Sequence, residues 1–141
     1  MSITYDKGFN VKHTTVAAIA ALNGLIATAA SALGAHFLSG KIAEADKALF
    51  TQAATFQFYH TFALLGLAWL MSRSDSANRV GSYAANAFLL GIIAFSGSLY
   101  VRAVMGPGSL GAFHWVTPIG GLALMLGWGL MALTAFKGNK R

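Results

Sequence analysis

Gln57 and His60 stand three residues apart inside a long apolar run, a spacing that puts both on one face of a helix. Tyr59 lies between them, and Gln52 precedes them on the same run. A second polar set closes a later run, where Ser96–Tyr100 and Ser98–Arg102 form i, i+4 pairs. His36 ends the first run, while His114 and Thr117 stand at the start of the last, so span directions alone bring all these groups together in the outer half of the bundle. Imidazoles, amides and hydroxyls in these places could do three kinds of chemistry. They could hydrogen-bond between helices and fix register, at about 0.6–2 kcal/mol each. They could hold a small ligand, a lipid headgroup or a proton, with Arg102 as fixed positive charge. Or His36, His60 and His114 could ligate copper or zinc, which suit imidazole. Three histidines on three runs lack the local spacing of a sequence-encoded metal site. The structural role is preferred, and no metal or cofactor is expected.

The elements that must carry these groups are four apolar runs. They cover about 15–38, 51–71, 83–105 and 115–136, each close to or above the ~20 residues that cross a bilayer as a helix. The chain has 141 residues, is 56% hydrophobic and only 10% charged, with a mean hydropathy of +0.60. A soluble domain carries roughly 25% charged residues. In hydrocarbon the backbone must satisfy itself, and the runs lack the alternation of barrel strands, so helices are expected. The expected fold is all-α: an integral membrane four-helix bundle forming one domain. A secretory signal peptide is the competing reading of the first run, with Lys7 and Lys12 before it and Ala30-Ser31-Ala32 within it. The apolar stretch is too long for that reading.

Charge placement sets the orientation. Lys7, Lys12, Arg73, Arg79, Lys137, Lys140 and Arg141 fall on one side, against Lys41, Lys47 and Arg102 on the other. The positive-inside rule then puts both termini in the cytoplasm, with the protein in the inner (plasma) membrane. Trp69 and Tyr83 would mark one interface, Tyr100 and Trp115 the other. The net charge of +6 is dispersed at run ends rather than gathered in a stripe, so nucleic acid is not an expected partner. Segment 41–49 has Lys41, Glu44 and Lys47 on one side and Ile42, Ala45 and Leu49 towards the other, and reads either as an interfacial helix or as a connecting loop.

Enzyme chemistry is not expected. Asp6, Glu44, Asp46 and Asp75 all lie in arms or loops, no cysteine is present, and no nucleophile, phosphate-loop or dinucleotide motif occurs. Leu33-Gly34-Ala35-His36 and Leu110-Gly111-Ala112-Phe113-His114 match too briefly to be a transporter repeat. Small residues recur at helical spacing: Ala20, Gly24 and Thr28 in the first run, Gly91 and Gly97 in the third, Gly120, Gly127 and Gly129 in the fourth. Such residues let membrane helices approach closely, within the bundle or between chains. Thr117-Pro118 reads as a helix start, the hydroxyl capping and the proline in the first turn.

Several of these residues resemble a known family. Gly34-Ala35-His36, Gln52, Tyr59-His60 and Ala63-Leu64-Leu65 fit its first half. Phe95-Ser96-Gly97-Ser98-Leu99-Tyr100, Thr117-Pro118-Ile119-Gly120-Gly121 and Gly127-Trp128 fit its second. The chain thus resembles the domain-of-unknown-function 423 family, which includes transmembrane protein 256, over about Leu33 to Trp128. That resemblance implies a small polytopic membrane protein and no particular activity. It singles out His36, Gln52, Tyr59, His60, Ser96, Ser98, Tyr100, Thr117 and Pro118 among the polar positions, and leaves His114 aside. The expected function is an accessory or assembly subunit that self-associates or joins a larger membrane complex. The alternative is a small-solute, lipid or proton channel or transporter.

Overall fold

Long apolar runs with no proline beyond a first turn fold here as the helices their composition demands. The computed structural model describes residues 10–73 and 78–138. Lys7, Lys140, Arg141, Asp6 and Asp75, used above for charge placement, lie outside the described residues. Helix α1 is His13–Ala32 and runs on through a π-helical turn, Leu33–Phe37. Helix α2 is Glu44–Ser72, α3 is Asn78–Met105, and α4 is Val116–Gly138 after a short 3-10 turn at Gly111–Phe113. No strand occurs among the described residues.

Three stretches are long and apolar enough to cross a membrane: His13–Phe37, Asn78–Met105 and Gly111–Gly138. Helix α2 is interrupted by Gln57, Tyr59, His60 and Thr61 and is not among them. Its 29 residues nevertheless extend about 43 Å. It packs antiparallel to α1, where Gly24 meets Thr61, and to α3, where Tyr100 meets Gln57. Gly34 meets Phe50 at one end and Gly81 meets Met71 at the other, so α2 traverses the same depth as its neighbours. It packs against α1, α3 and α4, while α1 and α4 make no extensive contact with each other.

Two sequence boundaries change. Segment 44–49 is the first part of α2 rather than a separate interfacial helix. Nothing between Leu49 and Thr51 breaks a helix, and Glu44 and Asp46 favour a start in that first turn. Thr117 also lies inside α4 rather than capping it, since the helix already begins at Val116.

Glycine determines how close α3 and α4 come. A Cβ on Gly91 would sit 2.6 Å from the Leu124 side chain, and one on Gly127 would sit 2.6 Å from the Phe88 ring. A Cβ on Gly120 would run into the backbone of Ala94 and Phe95. These contacts run in opposite order along the two helices, as antiparallel packing requires. Each helix thus supplies a gap for a large side chain of the other, in a medium where packing rather than water drives association. The loop between them turns at Gly106, Gly108 and Gly111, all with positive φ, which L side chains rarely adopt. Val16, Ala20, Leu64, Leu67, Met71, Ala84 and Phe88 form an apolar core towards the end that carries the chain termini. Val11 ties the chain entering α1 to that end, its N–H donating to the Ser82 hydroxyl at 2.9 Å.

Gly120→Ala is expected to destabilise the bundle by about 1–3 kcal/mol, because backbone cannot move aside as a side chain can. Gly97→Ala, where nothing lies within 4 Å of the added carbon, should be neutral or slightly stabilising. Denaturant unfolding of both variants in detergent micelles, followed by circular dichroism, measures the difference.

Candidate functional site

Polar side chains within the bundle form two separate arrangements. The first centres on Gln57, which is buried at 5% exposure. Its Oε1 accepts from the Tyr100 hydroxyl of α3 at 2.8 Å, and its Nε2 donates to Asn23 Oδ1 of α1 at 2.9 Å. Asn23 Nδ2 returns a bond of 2.6 Å to Thr61 Oγ1 and one of 3.3 Å to the Gln57 carbonyl. Thr61 itself donates to that carbonyl at 3.0 Å. One continuous chain of hydrogen bonds therefore links α3, α2 and α1. Phe50 meets the Tyr100 ring edge-on, at 4.7 Å between centroids, and fixes its position.

The second arrangement surrounds His60. Its ring lies among Phe56, Phe88 and Trp128, with centroids 5.7–6.1 Å away. Trp128 Nε1 of α4 lies 3.2 Å from His60 Nε2, and His60 Nδ1 lies 2.7 Å from the Phe56 carbonyl. An indole N–H can only donate, so Nε2 accepts and Nδ1 carries the proton given to the carbonyl. Both ring nitrogens are thereby occupied, leaving none free for a metal or a transferred proton.

These positions correct the single outer-half cluster expected from the sequence. Helix α2 begins at Glu44 rather than Thr51, which places Gln57 and His60 near its middle. Although three residues apart, the two side chains bond to different helices. Ser98 pairs with Thr117, their hydroxyl oxygens 2.7 Å apart across α3 and α4. Ser96 is buried, and its hydroxyl has no partner among the described residues. His36, Gln52 and Tyr59 are exposed on the outside of the bundle, His36 on the π-helical turn. Arg102 and His114 are exposed at the end carrying the α1–α2 and α3–α4 connections. His36, His60 and His114 do not come together: no group of three metal-ligating side chains forms among the described residues.

Thr61 and Trp128 are the participants that sequence reasoning missed as partners. Asn23, an amide in an apolar run, is expected to bond across helices, and it does so with Gln57 and Thr61. The indole of Trp128 gave no such signal, because tryptophan near a membrane reads first as an interfacial anchor.

Two cavities border these groups. One, about 480 Å³, lies at the connection end and is lined by Arg102, Leu110, His114, Thr117 and Pro118 with two loop glycines. The other, about 500 Å³, opens between α2 and α4 beside His60 and is walled by Phe56, Phe95, Leu124, Met125 and Trp128. The polar cavity does not include Gln57 or His60 in its lining, and the cavity touching His60 is apolar.

A bundle of long apolar helices with its buried polar groups bonded mainly to one another defines a small polytopic α-helical membrane protein. The chain belongs to the family described as Protein of unknown function (DUF423), whose profile matches residues 30–121. It is 38% identical to the UPF0382 inner membrane protein YgdD of Escherichia coli strain K12, over 84% of this chain and 86% of that protein. It is 37% identical to the UPF0382 membrane protein SAB0533 of Staphylococcus aureus strain bovine RF122, over 84% of this chain and 93% of that one. The UPF0382 membrane protein YwdK of Bacillus subtilis is 34% identical over 84% and 94% of the respective chains. No solved structure matches. The expected family is thus confirmed, and with it a multi-pass membrane location, which the Escherichia coli relative's name specifies as the inner membrane.

Gln57→Leu should cost more stability than Asn23→Ala, because it strands both the Tyr100 hydroxyl and the Asn23 amide. A double-mutant cycle on Asn23 and Gln57 in micelles is expected to give a coupling of about 0.6–1.7 kcal/mol. His60→Leu should retain full helicity by circular dichroism, since leucine suits the ring's apolar surroundings. Loss of helicity would show that the Trp128 and Phe56 bonds hold the fold.

Proposed function

We propose that this chain is an accessory or assembly subunit of the inner membrane that acts through helix contacts on its outer surface. The carrying observation is that two helix glycines have no partner within the chain. A Cβ on Gly97 or Gly129 would meet nothing within 4 Å, whereas Gly24, Gly66, Gly81, Gly91, Gly120, Gly121 and Gly127 each have a neighbour within that distance. Glycine inside a helix costs about 1 kcal/mol against alanine, and in membranes it recurs where backbones approach closely. Gly97 lies on a stripe with Leu90, Ile93, Val101 and Val104, and Gly129 on one with Leu122, Leu126, Leu133 and Phe136. The flanking residues of both stripes are exposed, which suits a second copy or a larger complex.

The channel or transporter reading has less support. Its route would need polar groups with free bonding capacity along one passage, and Gln57, His60 and Ser98 are engaged with neighbours. Enzyme activity is likewise not proposed, since the two carboxylates described, Glu44 and Asp46, sit at one end of α2 away from the buried polar groups. The orientation we propose follows charge: Lys12, Arg73, Arg79 and Lys137 share the terminus-bearing end, which places that end in the cytoplasm.

Purification in a gentle detergent, followed by native mass spectrometry, is expected to show a homo-oligomer or a defined partner. Gly97→Leu or Gly129→Leu should reduce that association several-fold while leaving helicity unchanged. A lone monomer from membranes extracted under these conditions overturns the subunit reading.

A further inference from the structure

The two cavities beside α4 lie on the same side of the α3–α4 pair. On α3, Phe95 faces the apolar cavity and Arg102 the polar one, seven residues on and thus on the same helix face. On α4, Pro118 lines the polar cavity while Gly121, Met125 and Trp128 line the apolar one, in steps of three and four. Two helices therefore independently stack a polar compartment above an apolar one. The polar compartment sits where the spans end and headgroups lie. Arg102 has no ion pair among the described residues, and its planar guanidinium matches a phosphate in two-point fashion. Gly121 lines the lower compartment, and a Cβ there would stand 3.7 Å from the Phe95 ring, in ordinary van der Waals contact.

We propose that these compartments form one binding site for a single anionic diacyl phospholipid, its phosphate on Arg102 and an acyl chain in the groove beside Trp128. A partner helix is about 10 Å across, too thick for a groove of about 500 Å³. A free anion would leave that groove unfilled, and a zwitterionic lipid would bring a second cation to Arg102. His114 and Thr117 offer further hydrogen bonds to headgroup oxygens. The proposal is independent of the subunit reading, because a monomer could carry the lipid and an oligomer could lack it.

The test uses the full chain, purified in mild detergent and stripped of lipid, with native mass spectrometry counting what it retains. Mixed micelles carry phosphatidylglycerol or phosphatidylcholine, and a third sample carries inorganic phosphate alone. One phosphatidylglycerol per chain is expected, preferred over phosphatidylcholine by about fivefold, the contribution of one cation near a membrane surface. Arg102→Gln, at an exposed position, should abolish that preference, and Arg102→Lys should keep part of it. Met125→Trp, which fills the groove from another exposed position, should weaken retention of both lipids. Circular dichroism confirms that each variant is folded. Equal retention of the two lipids by the parent chain overturns the proposal, as does a preference that survives Arg102→Gln. Retention of inorganic phosphate as readily as of phosphatidylglycerol overturns it too, because the groove would then contribute nothing.

Discussion

A glutamine side chain placed in hydrocarbon must find hydrogen-bond partners for its amide, because no water is there to supply them. Gln57 finds them on two other helices at once, Tyr100 on α3 and Asn23 on α1. That constraint decides the order of the bundle. Helix α2 carries Gln57, Thr61 and His60 and so needs helices on several sides, which is why it touches α1, α3 and α4. The least apolar helix is the one with three neighbours, and the outer helices α1 and α4 present leucine, isoleucine and phenylalanine outward. The usual inside-out contrast of a soluble protein is reversed.

The glycine contacts supply what hydrogen bonds do not. Without a hydrophobic drive between helices, α3 and α4 hold together through dispersion across a short separation. Gly91 and Gly127 leave room for Leu124 and Phe88, and Gly120 lets α4 close on the backbone of Ala94 and Phe95. The Ser98–Thr117 pair lies on the same seam near the loop. Polar bonding thus joins α1, α2 and α3, tight packing joins α3 to α4, and the indole of Trp128 ties α4 back to α2.

Much of this architecture is legible in the residues. Composition and run length yield four helices, and Gly106-Pro107-Gly108 marks the α3–α4 turn. Small-residue spacing on α4 anticipates the contacts of Gly120 and Gly127. What is not legible is azimuth. Hydrophobic on nearly every side, a membrane helix shows little periodic signal about which face is inward. Gln57 and His60 therefore read as neighbours on one face, though their hydrogen bonds diverge to different helices. Depth is hidden for a related reason, since the early turns of α2 contain charged residues and look like loop. Pairings such as Asn23 with Gln57, 34 residues apart, depend on how helices sit beside each other, which local pattern does not encode.

The modest hydropathy of α2 bears on how the chain is made. A segment entering a bilayer alone is judged by its own apolar content, and α2 presents Gln57, Tyr59, His60 and Thr61 in mid-helix. Helix α1 emerges earlier from the ribosome and holds Asn23, the group that later bonds Gln57 and Thr61. A hairpin of α1 and α2 entering the lipid together satisfies the amides that α2 alone would leave unpaired. The order in which the helices are synthesised thus becomes part of the information that the sequence encodes.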